Sequence, residues 1–496
     1  MWLGIDVGSD ISLANAVGRE IIHAGLVNEE FVRRATTGFD AYAAAVEPYT
    51  LARAERDTGV PAEAIRSLAH DYARAGRAQL GWTLGITEHH NATDNVFALI
   101  NLALLTGHVG RYGSGLVPLR GQNNVQGGGD MGAIPNKLPG FQDVATDMDA
   151  RARFERAWGV QLPPKAGWHL SLMFEAMERG ELTSCYIVGE NPVQSEADGD
   201  RTARLLGGLE HLVVQDIFLT KTAELADVVL PATATWAESQ GTVTSSERRV
   251  QRVRRALDPP AGARDDIEII CDLARRLGDD WGHPSAEEVW DELRSLSPMH
   301  AGMSYARLED LGGIQWPCPD ERHPGERFLH GRLWEEDPDR RGPPAPFTPV
   351  EFEPPVDQLS EEFPIRLTTG RRLDSFNTGV QSGRYRSPIR RPETLNLSPE
   401  DVARLDLSEG ERVRVASRRA AVEAPVHVDP TLRPGLAFMT LHFPDEVATN
   451  RLTLDAWDPK SGTAEFKATA IRVEKLGAAG TETLTAAADE PAEVRA

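Results

Sequence analysis

Cysteine is scarce in this chain. The 496 residues include three cysteines, Cys185, Cys271 and Cys318, and no pair forms a Cys-x-x-Cys pattern. Two of them lie in apolar stretches, TSCYIV and EIICDL, where a buried, reduced thiol is the common state. The sequence therefore predicts no disulfide framework, favours a cytoplasmic location and offers no iron–sulfur or zinc site of its own.

Long apolar runs are missing as well. No stretch of about eighteen apolar residues occurs, so we expect no membrane span. The first residues, MWLGIDVGSD, lack the basic and apolar regions of a secretory signal, so no leader is expected. Lysine accounts for six of the 53 basic residues, and the net charge of −22 argues against nucleic acid or an anionic membrane as a partner.

What is present is an alternation of helical and strand patterns. Apolar residues recur every three or four positions in five segments, which predicts helices in SLANAVGREIIHAGL, PAEAIRSLAHDYARAG, DNVFALINLALLTG, WHLSLMFEAMERGE and DDIEIICDLARRLGD. Short apolar runs predict strands in AQLGWTLGIT, LTSCYIVGENP, HLVVQDIFLT and ADVVLPAT. Strands that alternate with helices predict an α/β fold with parallel layers.

Composition suggests where the domains divide. We expect two α/β segments, residues 1–122 and 123–334, followed by a proline- and charge-rich linker over residues 335–360. PIRLTTG, RVRVASRRAAVEAPVHV and LAFMTLHF are short β patterns, so residues 361–476 are predicted to form a β-rich domain. The composition of residues 477–496 predicts a disordered tail.

One segment cannot contribute to a core. PLRGQNNVQGGGDMGAIPN, Pro118–Asn136, contains five glycines and five amide side chains, and we call it the amide loop. Glycine allows the backbone to approach a ligand closely, and amides both donate and accept hydrogen bonds. The alternative is a mobile surface loop. The single arginine, single aspartate and amide cluster favour a cradle for a large polar ligand.

Polar residues also follow two predicted strands. They occur in IVGENPVQSEAD and at Gln215 and Asp216 in VVQDIFLT. In open α/β sheets, ligands bind beyond the carboxyl ends of the strands. A carboxylate at such an end can accept two N–H bonds from a guanine edge, so the pattern indicates a ligand that carries a nucleotide.

Long motifs of the chain resemble the catalytic (alpha) subunit of molybdopterin-dependent formate dehydrogenases. The resemblance is carried by GWTLGITEHHNATDNVFALINLALLTGHVGRYGSGLVPLRGQNNVQGGGDMGAIPNKLPGFQDV. It continues, in the family's order, in IVGENPVQSEAD, VVQDIFLTKTAELADVVLPATATWAESQGTVTSSERRVQRVRRAL, LTTGRRLDSFNTG and FPDEVATNRLTLDAWDPKSGTAEFKATAIRVE. It spans nearly all of residues 5–475 and implies Rossmann-like parallel α/β layers followed by a C-terminal β-barrel of the double-psi type.

The resemblance also implies a chemistry. Enzymes of this family hold molybdenum or tungsten between two molybdopterin guanine dinucleotides, interconvert formate and carbon dioxide, and pass electrons through a [4Fe–4S] cluster. The amide loop would lie against the pterin, and Arg120 matches the family's active-site arginine. A guanidinium is a permanently charged, planar fork suited to a carboxylate such as formate or to another small oxoanion.

The remaining site residues carry over by motif. Positions that match the family's cofactor contacts are Gly8, Ser9, Asp10, Gly85, Thr87, Gly121, Gln122, Asn123, Gly127, Gly189, Glu190, Asn191, Gln215, Asp216, Gly370, Arg371, Arg372, Asn377, Asn450 and Lys467. Two positions depart in detail, since Asn377 stands where the family often has histidine and Ser245 where asparagine is usual. The adjacent His89 and His90 are interpreted as solvated or pterin-edge histidines rather than as a metal site.

A larger departure concerns the metal and the cluster. In the family, the cluster cysteines, the metal-ligating selenocysteine or cysteine and its neighbouring histidine all lie upstream of the loop matched by Gly8. We therefore expect no metal ligand in this chain, an N-terminally truncated or split catalytic subunit, and a cluster-bearing complement or electron-transfer subunit as partner. Such a chain is expected to expose apolar surface. The alternatives are a non-catalytic cofactor-binding or scaffold chain and another molybdopterin oxidoreductase that acts on an oxoanion.

Overall fold

The computed structural model describes residues 1–375, 377–378, 382 and 388–476, which fall into two compact units. Unit 1 comprises Met1–Gln358 and Leu454–Ala468. Unit 2 comprises Leu359–Thr453 and Thr469–Ala496. The predicted disordered tail, residues 477–496, lies outside the described residues.

Unit 1 contains seventeen α-helices among its described residues. They are α1 Asp10–His23, α2 Glu29–Ala35, α3 Phe39–Val46, α4 Leu51–Thr58, α5 Ala62–Arg74, α6 Leu84–Thr87, α7 Ala92–Thr106, α8 Val125–Asp130, α9 Met148–Trp158, α10 Leu170–Glu178, α11 Pro192–Ser195, α12 Gly199–Gly207, α13 Thr235–Glu238, α14 Asp266–Leu277, α15 Ala286–Leu296, α16 Tyr305–Asp310 and α17 Pro338–Arg341. Short 3₁₀ turns span Ala223–Leu225 and Gly331–Trp334.

The strands of unit 1 are short. They are β1 Thr36–Thr37, β2 Gln79–Trp82, β3 Gly115–Pro118, β4 Lys137–Leu138, β5 Gln142–Asp143, β6 Ser184–Val188, β7 His211–Asp216, β8 Val228–Pro231, β9 Gly241–Thr244, β10 Arg249–Val253, β11 Ile314–Gln315 and β12 Ala345–Pro346. All five helices and all four strands predicted from the apolar patterns are present, as α1, α5, α7, α10 and α14 and as β2, β6, β7 and β8.

The first core of unit 1 is helical. Helix α1 packs against α4, α5 and α7. It buries Ile11, Val17 and Ile21 because these residues recur along one stripe of the helix. Glycine ends α7, where Gly107 adopts the left-handed conformation at φ 68° that residues with a Cβ seldom take.

Parallel sheets form the α/β part. Strands β2 and β3 form a parallel pair, and β6, β7 and β8 form a parallel sheet in that order. One face of the three-stranded sheet packs Leu212 and Val214 against α10 and α12. The other face exposes Tyr186, Val188 and Val228.

A three-stranded antiparallel sheet, in the order β9, β10, β11, was not predicted from the sequence. Its strands are two to five residues long and rich in threonine, arginine and glutamine. Such runs lack the apolar alternation that marks a strand. Arg248 takes the left-handed conformation at φ 68° in the turn between β9 and β10.

Two further segments complete unit 1. Within residues 335–360, the expected linker, β12 pairs with β1 in parallel, and Phe347 and Val350 are buried in the helical core. Residues 454–468, which we call the return segment, come back into unit 1 after most of unit 2. Asp458 of the return segment is buried and accepts hydrogen bonds from the backbone N–H (3.3 Å) and the hydroxyl (2.6 Å) of Thr93.

The described residues of unit 2 form a closed barrel of six strands. The elements are β13 Ile365–Gly370, β14 Leu395–Leu397, α18 Pro399–Arg404, β15 Arg412–Ala416, β16 Ala421–Val428, β17 Leu436–Thr440, a 3₁₀ turn Thr449–Arg451 and β18 Thr469–Lys475. The order around the barrel is β13-β17-β14-β16-β15-β18. Together with the parallel sheets of unit 1, this barrel confirms the predicted fold class.

No helix within the described ranges is both long enough and apolar enough to cross a membrane.

Candidate cofactor site and active site

The amide loop is the most open of the predicted site segments. Residues 119–125 are exposed, and the loop then turns into α8. Gly121, Gln122 and Asn123 therefore present backbone and amide groups to solvent. Gly127 is buried in α8, and a Cβ there would collide with the side chain of Asn124.

The antiparallel sheet supports the amide loop from one side. The backbone N–H of Thr244 donates to Oδ1 of Asn124 at 2.8 Å. The backbone N–H of Arg120 donates to Oγ of Ser246 at 3.2 Å. Ser245, which stands where the family has asparagine, instead accepts from the backbone N–H of Arg249 at 3.4 Å. The β9–β10 hairpin thus sets the position of the loop that carries Arg120.

Arg120 is exposed, and its guanidinium is oriented by one side chain. Nε of Arg120 donates to Oε1 of Gln126 at 3.0 Å, and Nε2 of Gln126 donates to Oδ1 of Asp130 at 2.8 Å. Nε1 of Trp316 donates to Oδ2 of Asp130 at 2.7 Å. Burial raises the pKa of Asp130, opposed by its bonds from Gln126 and Trp316. Among the described residues, the two outer nitrogens of the Arg120 guanidinium have no hydrogen-bond partner, so this fork can meet a ligand.

The segment Gly8–Ser9–Asp10 leads into α1. Gly8 has φ 84°, and a Cβ there would lie 2.8 Å from the ring of Pro355. Oγ of Ser9 donates to the carbonyl of Asp6 at 2.6 Å. Burial raises the pKa of Asp10, the first residue of α1, to about 6. A Cβ at Gly8 would also lie 3.9 Å from the ring of His89, so this segment adjoins residues 83–90, which follow β2 and which we call the β2 exit.

Gly85 and Thr87 lie in α6, directly after β2. A Cβ on Gly85 would meet no neighbour, so the residue faces open space. Nε2 of His89 and the carbonyl of Gly85 lie 3.0 Å apart. Burial lowers the pKa of His89 to about 4, so its imidazole is neutral near pH 7 and can donate this bond through Nε2.

His89 and His90 enclose a buried carboxylate of the return segment. Glu465 is fully buried; its oxygens lie 4.0 Å from Nδ1 of His89 and 3.5 Å from Nδ1 of His90. The Glu465 carboxylate raises the pKa of His90. The solvated interpretation is wrong for His89, because that residue is 2 % exposed. Among the described residues, no group of three or more histidines, cysteines and carboxylates is arranged to hold a metal ion.

The return segment brings Lys467 to the same place. Nζ of Lys467 lies 3.0 Å from Oε2 of Glu88, next to Thr87. Burial raises the pKa of Glu196 to about 8, with smaller contributions from Glu190, Asp455 and Glu88. These charges lie on the β2 exit, on the loop after β6 and on the return segment. The structure therefore gathers three predicted cofactor segments, which contain Thr87, Glu190 and Lys467.

The loop after β6 is tied to the loop after β7. Gly189 has φ 65°, and its N–H donates to the carbonyl of Gln215 at 2.8 Å. Oδ1 of Asn191 accepts from the backbone N–H (3.1 Å) and the hydroxyl (2.7 Å) of Thr222. Glu190 accepts from the hydroxyl of Ser195 at 2.7 Å. Asn191 therefore has an internal partner, and a Cβ on Gly189 would meet only open space.

Gln215 and Asp216 differ in exposure. Gln215 is fully buried; its amide accepts from the hydroxyl of Tyr186 and donates to Oδ1 of Asp266 at 2.5 Å. Asp216 is partly exposed and accepts from the backbone N–H of Phe218 at 3.0 Å. Burial raises the pKa of Asp216. Gln215 has its hydrogen bonds within the protein, whereas Asp216 remains accessible at the strand end.

The predicted site residues of unit 2 are mostly held by internal contacts. Gly370 ends β13, and a Cβ there would lie 2.7 Å from the ring of Phe438. Arg371 is exposed. The carbonyl of Asn377 lies 3.1 Å from Nδ1 of His442, and Asn450 is buried in a 3₁₀ turn.

Arg372 of the same segment is held by hydrogen bonds and ion pairs within the protein. Its backbone N–H donates to Nε2 of His442 at 2.9 Å. Its guanidinium donates to the carbonyls of Pro392 and Arg391, each at 3.0 Å, and lies beside Asp374 and Glu393.

Sequence reasoning missed several residues that shape the site. Ser246, Gln126, Asp130, Trp316 and Glu465 position or enclose predicted site residues. Asp130 carried a weak signal as the single aspartate of the amide loop. Trp316 and Glu465 carried none, because their partners lie 186 and more than 300 residues away along the chain.

The site fits a large polar cofactor such as molybdopterin. The amide loop is exposed, Gly85 and Gly189 face open space, and both amide atoms of Asn91 are buried without a hydrogen-bond partner. The residues do not fit an iron–sulfur cluster or a metal thiolate. Cys185 lies on β6, Cys271 is buried in α14, and Cys318 is buried beside Arg307.

Comparison with known proteins gives a consistent family. The family model "Molybdopterin oxidoreductase" matches residues 1–276, and "Molydopterin dinucleotide binding domain" matches residues 365–470. The chain is 42 % identical over 475 residues to F420-dependent formate dehydrogenase 2 subunit alpha of Methanococcus maripaludis, covering 95 % of this chain and 68 % of that protein. It is 36 % identical to formate dehydrogenase H of Escherichia coli, covering 96 % of this chain and 66 % of that protein.

A solved structure shares the fold. Acetylene hydratase from Pelobacter acetylenicus superposes with a TM-score of 0.70 at 19 % identity, covering 96 % of this chain and 71 % of that one. At this identity the likeness concerns the fold. The sequence matches are much stronger, and on them the chain belongs to the molybdopterin oxidoreductase family of enzymes.

Proposed function

We propose that this chain is the catalytic (alpha) part of a formate dehydrogenase, in which formate loses two electrons and one proton to give carbon dioxide. The observation that carries the proposal is Arg120, whose guanidinium is exposed on the amide loop and oriented through Nε by Gln126. The relatives named formate dehydrogenase support this choice of substrate.

Arg120 would bind and orient the carboxylate. Nε already donates to Gln126, so the two outer nitrogens remain to donate to the two oxygens of formate. A carboxylate held this way presents its C–H bond in one direction. The same fork would accept another small oxoanion, which is the competing substrate class.

The cofactor we propose is molybdenum or tungsten held by two molybdopterin guanine dinucleotides. When bound, it supplies two-electron transfer. The residues proposed to hold it in unit 1 are Gly8, Ser9, Asp10, Gly85, Thr87, Gly121, Gln122, Asn123, Gly127, Gly189, Glu190, Asn191, Gln215, Asp216 and Lys467. Those in unit 2 are Gly370, Arg371, Arg372, Asn377 and Asn450.

Within this set the accessible residues are the better candidates for direct contact. Asp216 is partly exposed at the end of β7 and can accept from a guanine edge. Gln215 has internal partners and is assigned to hold β6, β7 and α14 in place. Lys467 is assigned to the face of the β2 exit, beside Glu88.

The thiolate and the [4Fe–4S] cluster of the family are proposed to come from another polypeptide region. The positions of the three cysteines support this, since none lies in the amide loop or at the β2 exit. The chain covers 68 % of the first relative, and that relative is named as a subunit. We propose a cluster-bearing complement or electron-transfer subunit as the partner, a cytoplasmic location, and the division of unit 1 near residue 122.

The same cysteine positions favour a second candidate function. A chain that binds the dinucleotide without a thiolate of its own could serve as a non-catalytic cofactor carrier or scaffold. The two functions differ in what the native complex does with formate.

The test is formate-dependent reduction of a viologen dye by the complex purified from its source. Nitrate and dimethyl sulfoxide serve as competing substrates, and acid-released guanine nucleotide is measured by chromatography. Formate-dependent dye reduction together with two guanine nucleotides per chain supports the proposal. Guanine nucleotide without turnover of any substrate supports the carrier. Turnover of an oxoanion but not of formate overturns the choice of substrate.

A further inference from the structure

A line of hydrogen bonds runs from Arg120 to Trp316 through Gln126 and Asp130. We propose that Asp130 is a positioning residue, which fixes the direction of the Gln126 amide and thereby aims the guanidinium of Arg120. The inference rests on the proposed role of Arg120 in holding formate. It adds three residues, Gln126, Asp130 and Trp316, that act through Arg120.

The direction of the line follows from what each group can donate. The indole N–H of Trp316 can only donate, and it occupies Oδ2 of Asp130 at 2.7 Å. An ionised carboxylate can only accept, so Oδ1 of Asp130 must receive a donor from its other neighbour. That neighbour is the Gln126 amide, which places its NH₂ toward Asp130 at 2.8 Å. Its carbonyl oxygen then faces Nε of Arg120.

The far end of the line is held in place. Asp130 is 1 % exposed, and its backbone carbonyl accepts from the backbone N–H of Gly140 at 2.7 Å. The backbone N–H of Trp316 donates to the backbone carbonyl of Arg248 at 3.1 Å, and the Arg248 guanidinium lies 5.1 Å from the Trp316 ring centre. The exposed end therefore takes its orientation from a buried anchor.

The charges around Asp130 favour its acceptor form. Burial raises the pKa of Asp130, whereas the bonds from Gln126 and Trp316 and the charges of Arg120 and Arg248 act against burial and stabilise the carboxylate. The line stays in the observed direction as long as Asp130 is ionised. A protonated Asp130 would offer a donor to Gln126, and the amide would then turn its NH₂ toward Arg120.

One substitution reverses the donor and acceptor roles along the line of hydrogen bonds without changing the shape of the side chain at position 130. In Asp130→Asn, Trp316 can only donate, so the new amide must turn its oxygen toward Trp316. Its NH₂ then faces Gln126, whose oxygen turns inward and whose NH₂ meets Nε of Arg120. Two donors cannot bond, so Arg120 loses its partner.

A second substitution is expected to restore it. In Asp130→Asn/Trp316→Phe, no donor-only group holds the new amide, so its oxygen can turn back to Gln126. The Gln126 oxygen then returns to Arg120. If Asp130→Asn acted only through lost packing, the double variant would disturb Arg120 more than the single variant does, because it removes more contacts.

The experiment measures the Nε proton of Arg120 directly. The full chain is labelled with ¹⁵N-arginine, and the Nε–H signal absent from Arg120→Lys identifies Arg120. We expect its solvent exchange to rise about fivefold in Asp130→Asn, as for the loss of one hydrogen bond, and to return to the wild-type rate in the double variant. Trp316→Phe alone and the exposed control Asp149→Asn should keep the wild-type rate.

Thermal melting checks that each variant folds. A folded Asp130→Asn protein with wild-type exchange overturns the proposal, and so does a double variant that exchanges as fast as the single one. If Asp130→Asn does not fold, Gln126→Met replaces it, since it removes the acceptor and leaves the Asp130–Trp316 bond intact. Wild-type exchange in Gln126→Met then overturns the proposal.

Formate kinetics separate this proposal from the proposed function. In the native complex we expect KM for formate to rise about fivefold in Asp130→Asn and kcat to change less, with KM restored in the double variant. If exchange follows the predicted pattern while KM stays constant, Asp130 positions Arg120 but Arg120 does not hold formate. Such a result refutes the proposed function and leaves the positioning role standing.

Discussion

Two arginines predicted for the same site have opposite surroundings. Arg120 lies on the exposed amide loop of unit 1, and one side chain, Gln126, contacts its guanidinium. Arg372 of unit 2 also follows a strand. Its guanidinium donates to two backbone carbonyls, and its side chain is 16 % exposed. An arginine matched by motif can therefore face a ligand or stabilise the protein internally. The two cases are distinguished by how many of its guanidinium nitrogens are hydrogen-bonded within the protein.

The difference follows from what surrounds each loop. The amide loop is rich in glycine and amides, which bury little apolar surface, so the loop stays open above the hairpin that supports it. The segment around Arg372 lies beside the buried Glu393, which needs a nearby cation. Arg372 supplies that charge, and its guanidinium also donates hydrogen bonds to two backbone carbonyls.

The largest effect is expected at Arg120. Arg120→Ala removes the proposed carboxylate fork, and kcat/KM for formate should fall about a thousandfold, or about 4 kcal/mol. The free energy of unfolding should change by less than about 0.5 kcal/mol, because the side chain is exposed. Dye-coupled turnover and urea unfolding measure the two effects, with Arg33→Ala on α2 as the exposed control. If Arg120→Ala and Arg33→Ala lost kcat/KM equally, Arg120 would not be a ligand-facing group, and it would not differ from Arg372 in this respect.

Arg372→Ala should act on stability first. It removes the guanidinium beside Glu393 and Asp374 and frees two carbonyls, so unit 2 should lose about 3 kcal/mol of unfolding free energy. The change is measured by urea unfolding monitored within the barrel. Arg371→Ala, at the exposed neighbour, is the matched control and should lose little stability. An undiminished stability of Arg372→Ala would show that Arg372 does not stabilise the protein internally.

A glycine pair tests the support of the amide loop. Gly127→Ala places a Cβ against Asn124, which is bonded to the backbone of Thr244, and should cost about 1–2 kcal/mol of unfolding free energy. Gly128→Ala, one residue on, meets open space and should be neutral or slightly stabilising. Urea unfolding compares the two. Equal stabilities would mean that Asn124 moves aside freely.

The smallest effect is expected at the carboxylate of Glu196. The pKa of Glu196 is about 8 in the folded protein, against 4.5 for an ordinary glutamate. The folded state therefore holds a proton that the unfolded state has lost, and stability falls as the pH rises from about 4.5 to 8. Glu196→Gln should remove about 1 kcal/mol of that fall, a modest amount because solvent screens the partly exposed side chain.

Unfolding of Glu196→Gln at pH 5 and pH 9 measures the change, with the exposed Glu210→Gln as control. If wild type and Glu196→Gln lose the same stability over this range, Glu196 is ionised in the folded protein. The carboxylates of the β2 exit, the β6 loop and the return segment would then repel one another less than their positions suggest.

Much of the fold followed from local patterns. The apolar stripe of α1 and the short apolar runs of β6 to β8 predicted these elements, because each buries one face whatever its distant partner is. The hairpin β9–β10 escaped prediction, since its polar strands are defined by pairing. The β1–β12 pair was not foreseen either, because it joins residues about 300 positions apart.

The candidate site was predicted as a set of motifs. Gly8, Gly85, Gly121, Gly189 and the amides of the amide loop belong to such motifs, and the structure brings several of them to the β2 exit. Their individual surroundings could not be foreseen. Gln215 and Arg372 were expected at the cofactor, yet both have bonds within the protein.

The sequence by itself determined the α/β class, the amide loop and the presence of Arg120, because these depend on composition and on spacing along the chain. Only the tertiary structure decided which groups are buried, paired or exposed. Asp130 and Trp316 meet across 186 residues, and Glu465 reaches His89 and His90 from the far end of the chain. Such contacts depend on how distant segments pack, which no local pattern encodes, and the first of them anchors the hydrogen bonds that reach Arg120 through Gln126.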